Sequence, residues 1–205
     1  MNALLLIDIQ NDFVPGGALA VRDGDAVVGP ANRLAKRFDI VVATQDWHPA
    51  GHGSFASSHA GRKPGEMGEL AGLPQIMWPD HCVQGTRGAE FLDGLDRTRW
   101  TEVFRKGTDQ QIDSYSGFFD NGHRKATGLG DWLKSRGVTH VFIAGIATDY
   151  CVKFTAVDAL NLGFKTTVIQ DACRGVDLTP GDVQRAIDDM RNAGIEIQSE
   201  SEISL

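Results

Sequence analysis

Short apolar runs, each stopped by a turn or polar residue, constrain this chain most: "ALLLID" (3–8), "DIVVATQDW" (39–47), "TEVFRKG" (101–107), "THVFIAGI" (139–146), "KTTVIQD" (165–171) and "IEIQ" (195–198). Several are apolar at consecutive positions, so both faces of the strand need covering, as in a parallel sheet between helices. Helical spacing lies between them. Val27, Ala31, Leu34 and Phe38 form one stripe, Leu129, Trp132 and Leu133 a second, and Val152, Ala156, Ala159 and Leu160 a third. For a last helix, Thr179 is placed to cap, Pro180 suits the first position, Val183, Ala186, Ile187 and Met190 line one face, and Gly194 can end it. This alternation predicts a doubly wound α/β fold, with a mainly parallel six-stranded sheet and helices on both faces. In such sheets ligands sit beyond the carboxyl ends of the strands.

No proline- or serine-rich linker divides the 205 residues, so one domain is expected over 1–205. The stretch from about 48 to 100 breaks the rhythm, being rich in Gly, Pro, His and Ser, and a connection that long is usually functional. A formal net charge of -7 offers no broad basic surface, which argues against nucleic acid and anionic membranes as partners. Three scattered cysteines, Cys82, Cys151 and Cys173, make no disulfide framework and fit a reducing compartment. No apolar stretch approaches the roughly 20 residues that span a bilayer, so a soluble, cytoplasmic protein is expected.

Asp8, the Asp46/His48 pair, Lys106 and Cys151 fall at or just past strand ends, where this fold would gather them. In "GIATDYC", Thr148 or Asp149 can cap a helix and leave Cys151 in its first turn, where unpaired N–H groups favour the thiolate. Lys106 would push in the same direction, while Asp8 could accept and pass on a proton. A lone cysteine is more often core packing; position, with two convergent charged groups, turns the reading toward a nucleophile. In "QDWHPAGH", Asp46 and His48 leave the same face of a strand and can grip one cation, and "WPDHC" adds His81. His52 is a further candidate ligand. Asp with two or three His suits Zn, Mn or Fe and leaves positions open for water or substrate. Phe13, Trp78 and Tyr115 could form a stacking pocket for a flat substrate.

These residues resemble the isochorismatase-like cysteine hydrolases, and within them the nicotinamidases. The likeness runs end to end, through "LLLIDIQNDFVPGGALAV", "VVATQDWHPAGHGSFAS", "WPDHCVQGT", "FRKGTDQQIDSYSGFFDN" and "GIATDYCVKFTA". It implies a catalytic triad of Asp8, Lys106 and Cys151, with Cys151 attacking the carboxamide of nicotinamide to give a thioester, nicotinate and ammonia, a step of NAD salvage. It also implies a cis peptide between Ile146 and Ala147 and an oxyanion hole from the N–H groups of Ala147 and Cys151. One divalent ion, zinc before manganese or iron, would be held by Asp46, His48 and His81. Phe13, Trp78, Tyr115 and Tyr150 would line the substrate pocket, in a monomer or homo-oligomer. The alternatives are another amide or ureido hydrolase of the same superfamily, or a non-catalytic metal-binding protein on this fold. "DWH" with "WPDHC" argues against a relative lacking the metal site, and retention of both Lys106 and Cys151 argues against lost catalysis.

Overall fold

The computed structural model describes residues 1–204. In chain order the elements are β1 (Asn2–Ile7), α1 (Val28–Ala35), β2 (Ile40–Asp46), β3 (Met67–Leu70), β4 (Leu73–Ile76), β5 (Glu102–Lys106), α2 (Leu129–Ser135), β6 (His140–Ile146), α3 (Lys153–Asn161), β7 (Lys165–Arg174), α4 (Asp182–Asn192) and β8 (Glu196–Gln198). Six strands pair in the order β5-β2-β1-β6-β7-β8, every pair parallel. These are the six runs that the sequence marks, with β7 continuing to Arg174.

Alternation along each strand divides the core in two. Leu4, Leu6, Val41, Ala43, Phe142 and Ala144 face one side and pack with Ala31, Leu34 and Phe38 on and after α1. Leu5, Ile7, Val42, Val141 and Ile143 face the other, against Leu129 and Leu133 of α2, Ala156 and Ala159 of α3, and Met190 of α4. Each large aliphatic side chain so buried contributes about 1.5–3 kcal/mol, and both faces of the central strands are covered as the continuous apolar runs require. Among the described residues no helix is long and apolar enough to cross a membrane.

The chain winds outward from β1 through β2 to β5, then returns to β6 on the other side of β1 and winds the opposite way. The reversal lies between β1 and β6, and a doubly wound sheet opens a crevice at such a point, beyond its strands' carboxyl ends. Asp8 directly follows β1, Asp46 ends β2, Lys106 ends β5, and Cys151 lies in the turn after β6.

Two local expectations change. α4 starts at Asp182 after Gly181 (φ 93), not at Thr179 and Pro180, and the capping runs in reverse: the Asp182 carboxylate accepts from the Thr179 N–H at 2.8 Å. The irregular region also holds an antiparallel hairpin, β3–β4, turned through Ala71 (φ 54) and Gly72 (φ 80). Positive φ at both turn residues matches the right-handed twist of the strands. Four-residue strands are too short for their alternation to stand out in the sequence.

Candidate active site

Lys106 is the hub of the site. Its buried Nζ lies 2.9 Å from Ser114 O, 3.1 Å from Asp46 Oδ1, 3.6 Å from Cys151 Sγ and 3.0 Å from Asp8 Oδ2. An ammonium has three protons to share among these four neighbours. Asp8 Oδ2 is ion-paired with that ammonium and meets no other donor, while Asp8 Oδ1 accepts from Thr44 Oγ1 at 2.6 Å. Burial raises the Asp8 pKa, opposed by Lys106 and assisted by the charge of Asp46. Burial alone would lower Lys106, but the carboxylates of Asp46 and Asp8 outweigh it and hold the ammonium charged. The result is a carboxylate with enhanced proton affinity held beside a fixed cation.

Cys151 sits in a π-helical turn, Thr148–Val152, that leads into α3. Neither Thr148 nor Asp149 caps this turn with its side chain, contrary to the sequence expectation. Asp149 instead reaches to the loop after β7. The expected thiolate is also corrected. Burial raises the Cys151 pKa well above the ordinary thiol value; Lys106 opposes this, but Asp8 and Asp46 reinforce it. These causes favour the protonated thiol at rest. The Ile146–Ala147 peptide is cis, as the resemblance implies.

Asp46, His48 and His81 bring one ligand-capable atom each to within 4.8 Å of one another, all buried. His48 Nε2 is 3.0 Å and His81 Nε2 3.4 Å from Asp46 Oδ2. The outer nitrogens bond backbone carbonyls: His48 Nδ1 to Gly107 O at 2.9 Å and His81 Nδ1 to Pro79 O at 2.8 Å. A carbonyl only accepts, so each Nδ1 carries a hydrogen, and in its neutral form each ring would turn an Nε2 lone pair toward the Asp46 carboxylate oxygen, as metal binding requires. Three acceptors facing one another fit a cation. Burial by itself would lower His48, yet Asp46 brings its pKa above the usual value, so this spot favours positive charge. His52 stands apart. Its ring lies 4.3 Å from that of His48, but Nδ1 contacts Ser54 Oγ at 2.7 Å and Nε2 contacts Asp109 O at 2.7 Å. It groups with His48 and Asp113 in a separate buried trio.

Against these groups lies a pocket lined by Phe13, Trp78, Tyr115, Tyr150, Ala147 and Cys151, with Asp46 and His81 reaching its wall. All four aromatic residues singled out in the sequence thus meet in one place. Trp78 and Tyr150 pack edge to face at 5.0 Å, and the Tyr115 hydroxyl accepts from Trp78 Nε1 at 3.1 Å. A planar ring fits such a wall.

Residues 2–202 match the Isochorismatase domain family. The chain belongs to the isochorismatase family. It is 53% identical over 196 residues to the nicotinamidase of Escherichia coli (strain K12), covering 94% of this chain and 92% of that one. Among solved structures it is similar to an Acinetobacter baumanii nicotinamidase pyrazinamidease, at a TM-score of 0.95 and 46% identity over 98% of this chain and 97% of that one. It is also similar to the pyrazinamidase of Pyrococcus horikoshii in complex with zinc, at a TM-score of 0.79 and 37% identity over 97% and 98% of the two chains.

This isochorismatase-family site contains residues that sequence reasoning passed over. Asp113 is buried in the pocket wall, accepting from the Ser114 N–H at 2.7 Å and from Gln75 Nε2 at 3.0 Å. Leu19 and Val176 supply apolar wall from two separate loops, and Thr44 orients Asp8. Asp113 stood inside the quoted "DQQIDSYSGFF" run, so its motif was visible although its burial was not. Leu19 and Val176 carry no chemical signal that would distinguish them from core.

Proposed function

We propose that this protein hydrolyses the carboxamide of nicotinamide to nicotinate and ammonia, with Cys151 as nucleophile. The observation that carries the reading is the placement of the Cys151 thiol on the wall of an aromatic cavity, 3.6 Å from Lys106 Nζ, which itself lies 3.0 Å from Asp8 Oδ2. The substrate is supported by the nicotinamidase relative at 53% identity.

Asp8 takes the thiol proton as Sγ bonds to the carboxamide carbon, and the ammonium of Lys106 stabilises the charge that develops on sulfur. The N–H groups of Ala147 and Cys151 donate to the carboxamide oxygen as it becomes an oxyanion; one such donor is typically worth about 3 kcal/mol. Asp8 returns the proton to nitrogen, the C–N bond breaks and ammonia leaves a thioester. Water then attacks that carbonyl and gives a proton to Asp8. The C–S bond breaks, sulfur recovers the proton, and nicotinate departs. Phe13, Trp78, Tyr115 and Tyr150 hold the ring while this happens.

Asp46, His48 and His81 would hold one divalent cation, zinc before manganese or iron, which when bound supplies an electrophilic contact for the pyridine nitrogen, directly or through water. His52 is left out of that ligand set because it groups with His48 and Asp113 and not with Asp46 and His81, its ring nitrogens contacting Ser54 Oγ and Asp109 O. Zinc is supported by the Pyrococcus horikoshii neighbour, solved with that ion. The test is ammonia release from nicotinamide, measured beside aliphatic amides, isochorismate and ureido compounds. Nicotinamide is expected to be turned over in preference to the others; no turnover by metal-replete wild-type protein would falsify the assignment.

A further inference from the structure

Asp149, two residues before Cys151, does no capping for its own turn. Its Oδ1 accepts from the Val176 N–H at 2.9 Å and its Oδ2 from the Asp177 N–H at 2.7 Å, so one buried carboxylate holds two successive amides of the loop after β7. Bonds to an ionised acceptor are the strong kind. The fit is close: a Cβ on Gly175 would stand 2.9 Å from Asp149 Oδ1 and collide with the Val183 side chain. Asp177 in turn accepts from the Val183 N–H at 3.2 Å, which ties the same loop to the start of α4. This clamped loop carries Val176 into the substrate cavity, where it forms apolar wall with Leu19 and Ala147 beside Cys151.

We propose that Asp149 is a positioning residue that sets selectivity for the substrate ring. It fixes residues 175–177 so that Val176 closes the cavity around an unsubstituted pyridine, from the same turn that delivers the nucleophile. The substrate half of this proposal rests on the nicotinamide reading above. An aspartate is required because both its oxygens accept. Asparagine has the same shape but turns one NH₂ toward a backbone N–H, leaving that donor facing a donor. With one of its two ties lost, the loop moves away from the cavity and takes the Val176 methyls with it.

The experiment compares wild type, Asp149→Asn and Val176→Ala on nicotinamide, 5-methylnicotinamide and 6-methylnicotinamide, with amide hydrogen exchange followed at residues 176 and 177. In Asp149→Asn the KM for nicotinamide is expected to rise roughly tenfold, the usual scale of a lost bond to a charged group, with kcat within about threefold of wild type. The kcat/KM for at least one methylated amide relative to nicotinamide should rise in both variants. Exchange at 176 and 177 should quicken in Asp149→Asn, a local effect that general destabilisation of the core would not confine to those amides. Unchanged KM and ring selectivity in Asp149→Asn, or unchanged selectivity in Val176→Ala, overturns the proposal. So does exchange at 176 and 177 as slow as in wild type, whatever the kinetics. A wild-type protein inactive on nicotinamide sinks the functional reading and the substrate half together, while the exchange measurement separately decides whether Asp149 holds the loop.

Discussion

Lys106 Nζ lies 3.1 Å from Asp46 Oδ1, and through that contact one ammonium links the prospective metal trio to the proposed nucleophile. Replacing Lys106 with Met keeps an apolar stem and removes the charge between Asp8 and Asp46. Two buried carboxylates then face each other uncompensated, and breaking such an arrangement costs about 3–5 kcal/mol. Calorimetry should show Lys106→Met melting roughly 10 °C lower, with ammonia release down by at least about a hundredfold. Metal content should not fall, because losing a neighbouring cation favours a divalent ion at Asp46. Metal lost in parallel with activity would show that Lys106 serves mainly to hold Asp46.

Asp8→Asn separates the base from the field it creates. The Asp8 charge is one reason the Cys151 thiol keeps its proton, after burial itself. Removing that charge lowers the thiol pKa and raises the thiolate fraction at any given pH below it. Alkylation of Cys151 by iodoacetamide at neutral pH should therefore be faster in Asp8→Asn than in wild type, although hydrolysis of nicotinamide falls by roughly 10²–10⁴-fold. In wild type the alkylation rate should go on climbing with pH past the ordinary thiol range near ~8.5, since burial holds this thiol well above it. Slower alkylation in the variant would mean that Asp8 activates the thiol in the resting state.

Chelation tests the facing acceptors at Asp46, His48 and His81. A cation bound only by the folded protein stabilises it by about 4 kcal/mol when its free concentration is a thousand times Kd, so stripping it should lower the melting temperature. The KM for nicotinamide should rise more than kcat falls, because the ring nitrogen lies away from the bond that breaks. Zinc or manganese should restore both properties in wild type and neither in His48→Ala. Full activity after verified metal removal would make the trio a structural hydrogen-bonded cluster.

The parts of this site that sequence made legible are those set by strand ends. An apolar run that stops at Asp8, Asp46 or Lys106 announces both the strand and the place where its last polar group emerges. What lay hidden depends on contacts between distant segments. The raised pKa of Cys151 follows from burial and from the carboxylates of Asp8, just past β1, and Asp46, at the end of β2, which no reading of "TDYC" contains. The same four-residue context made Asp149 look like a helix cap, because its partners at 176 and 177 are separated from it by α3 and β7. Leu19 and Val176 were unreadable for a plainer reason: aliphatic side chains that line a cavity are chemically identical to those that fill a core.

Gly107 offers a last test, since space and conformation can be separated there. It has φ +64, and a Cβ would stand 2.5 Å from His48 Cε1, 2.7 Å from His48 Nδ1 and 2.8 Å from Asp46 Oδ1. Gly107 O also accepts from His48 Nδ1, so any retreat of the backbone would loosen the bond that fixes that ring. Gly137 has nearly the same φ, +68, with nothing within 4 Å of its Cβ position. Gly137→Ala should therefore lose only the conformational cost of about 1–2 kcal/mol for a left-handed alanine, keeping metal and activity. Gly107→Ala carries that cost plus the collision, which must displace His48 or Asp46. Metal analysis and melting curves on the two variants should show a similar small fall in stability for Gly137→Ala and, for Gly107→Ala, a larger fall together with loss of bound metal. Equal behaviour of the two would mean that the His48 ring adapts, and that the site's geometry is less tightly set by β5 than the close approach of Gly107 implies.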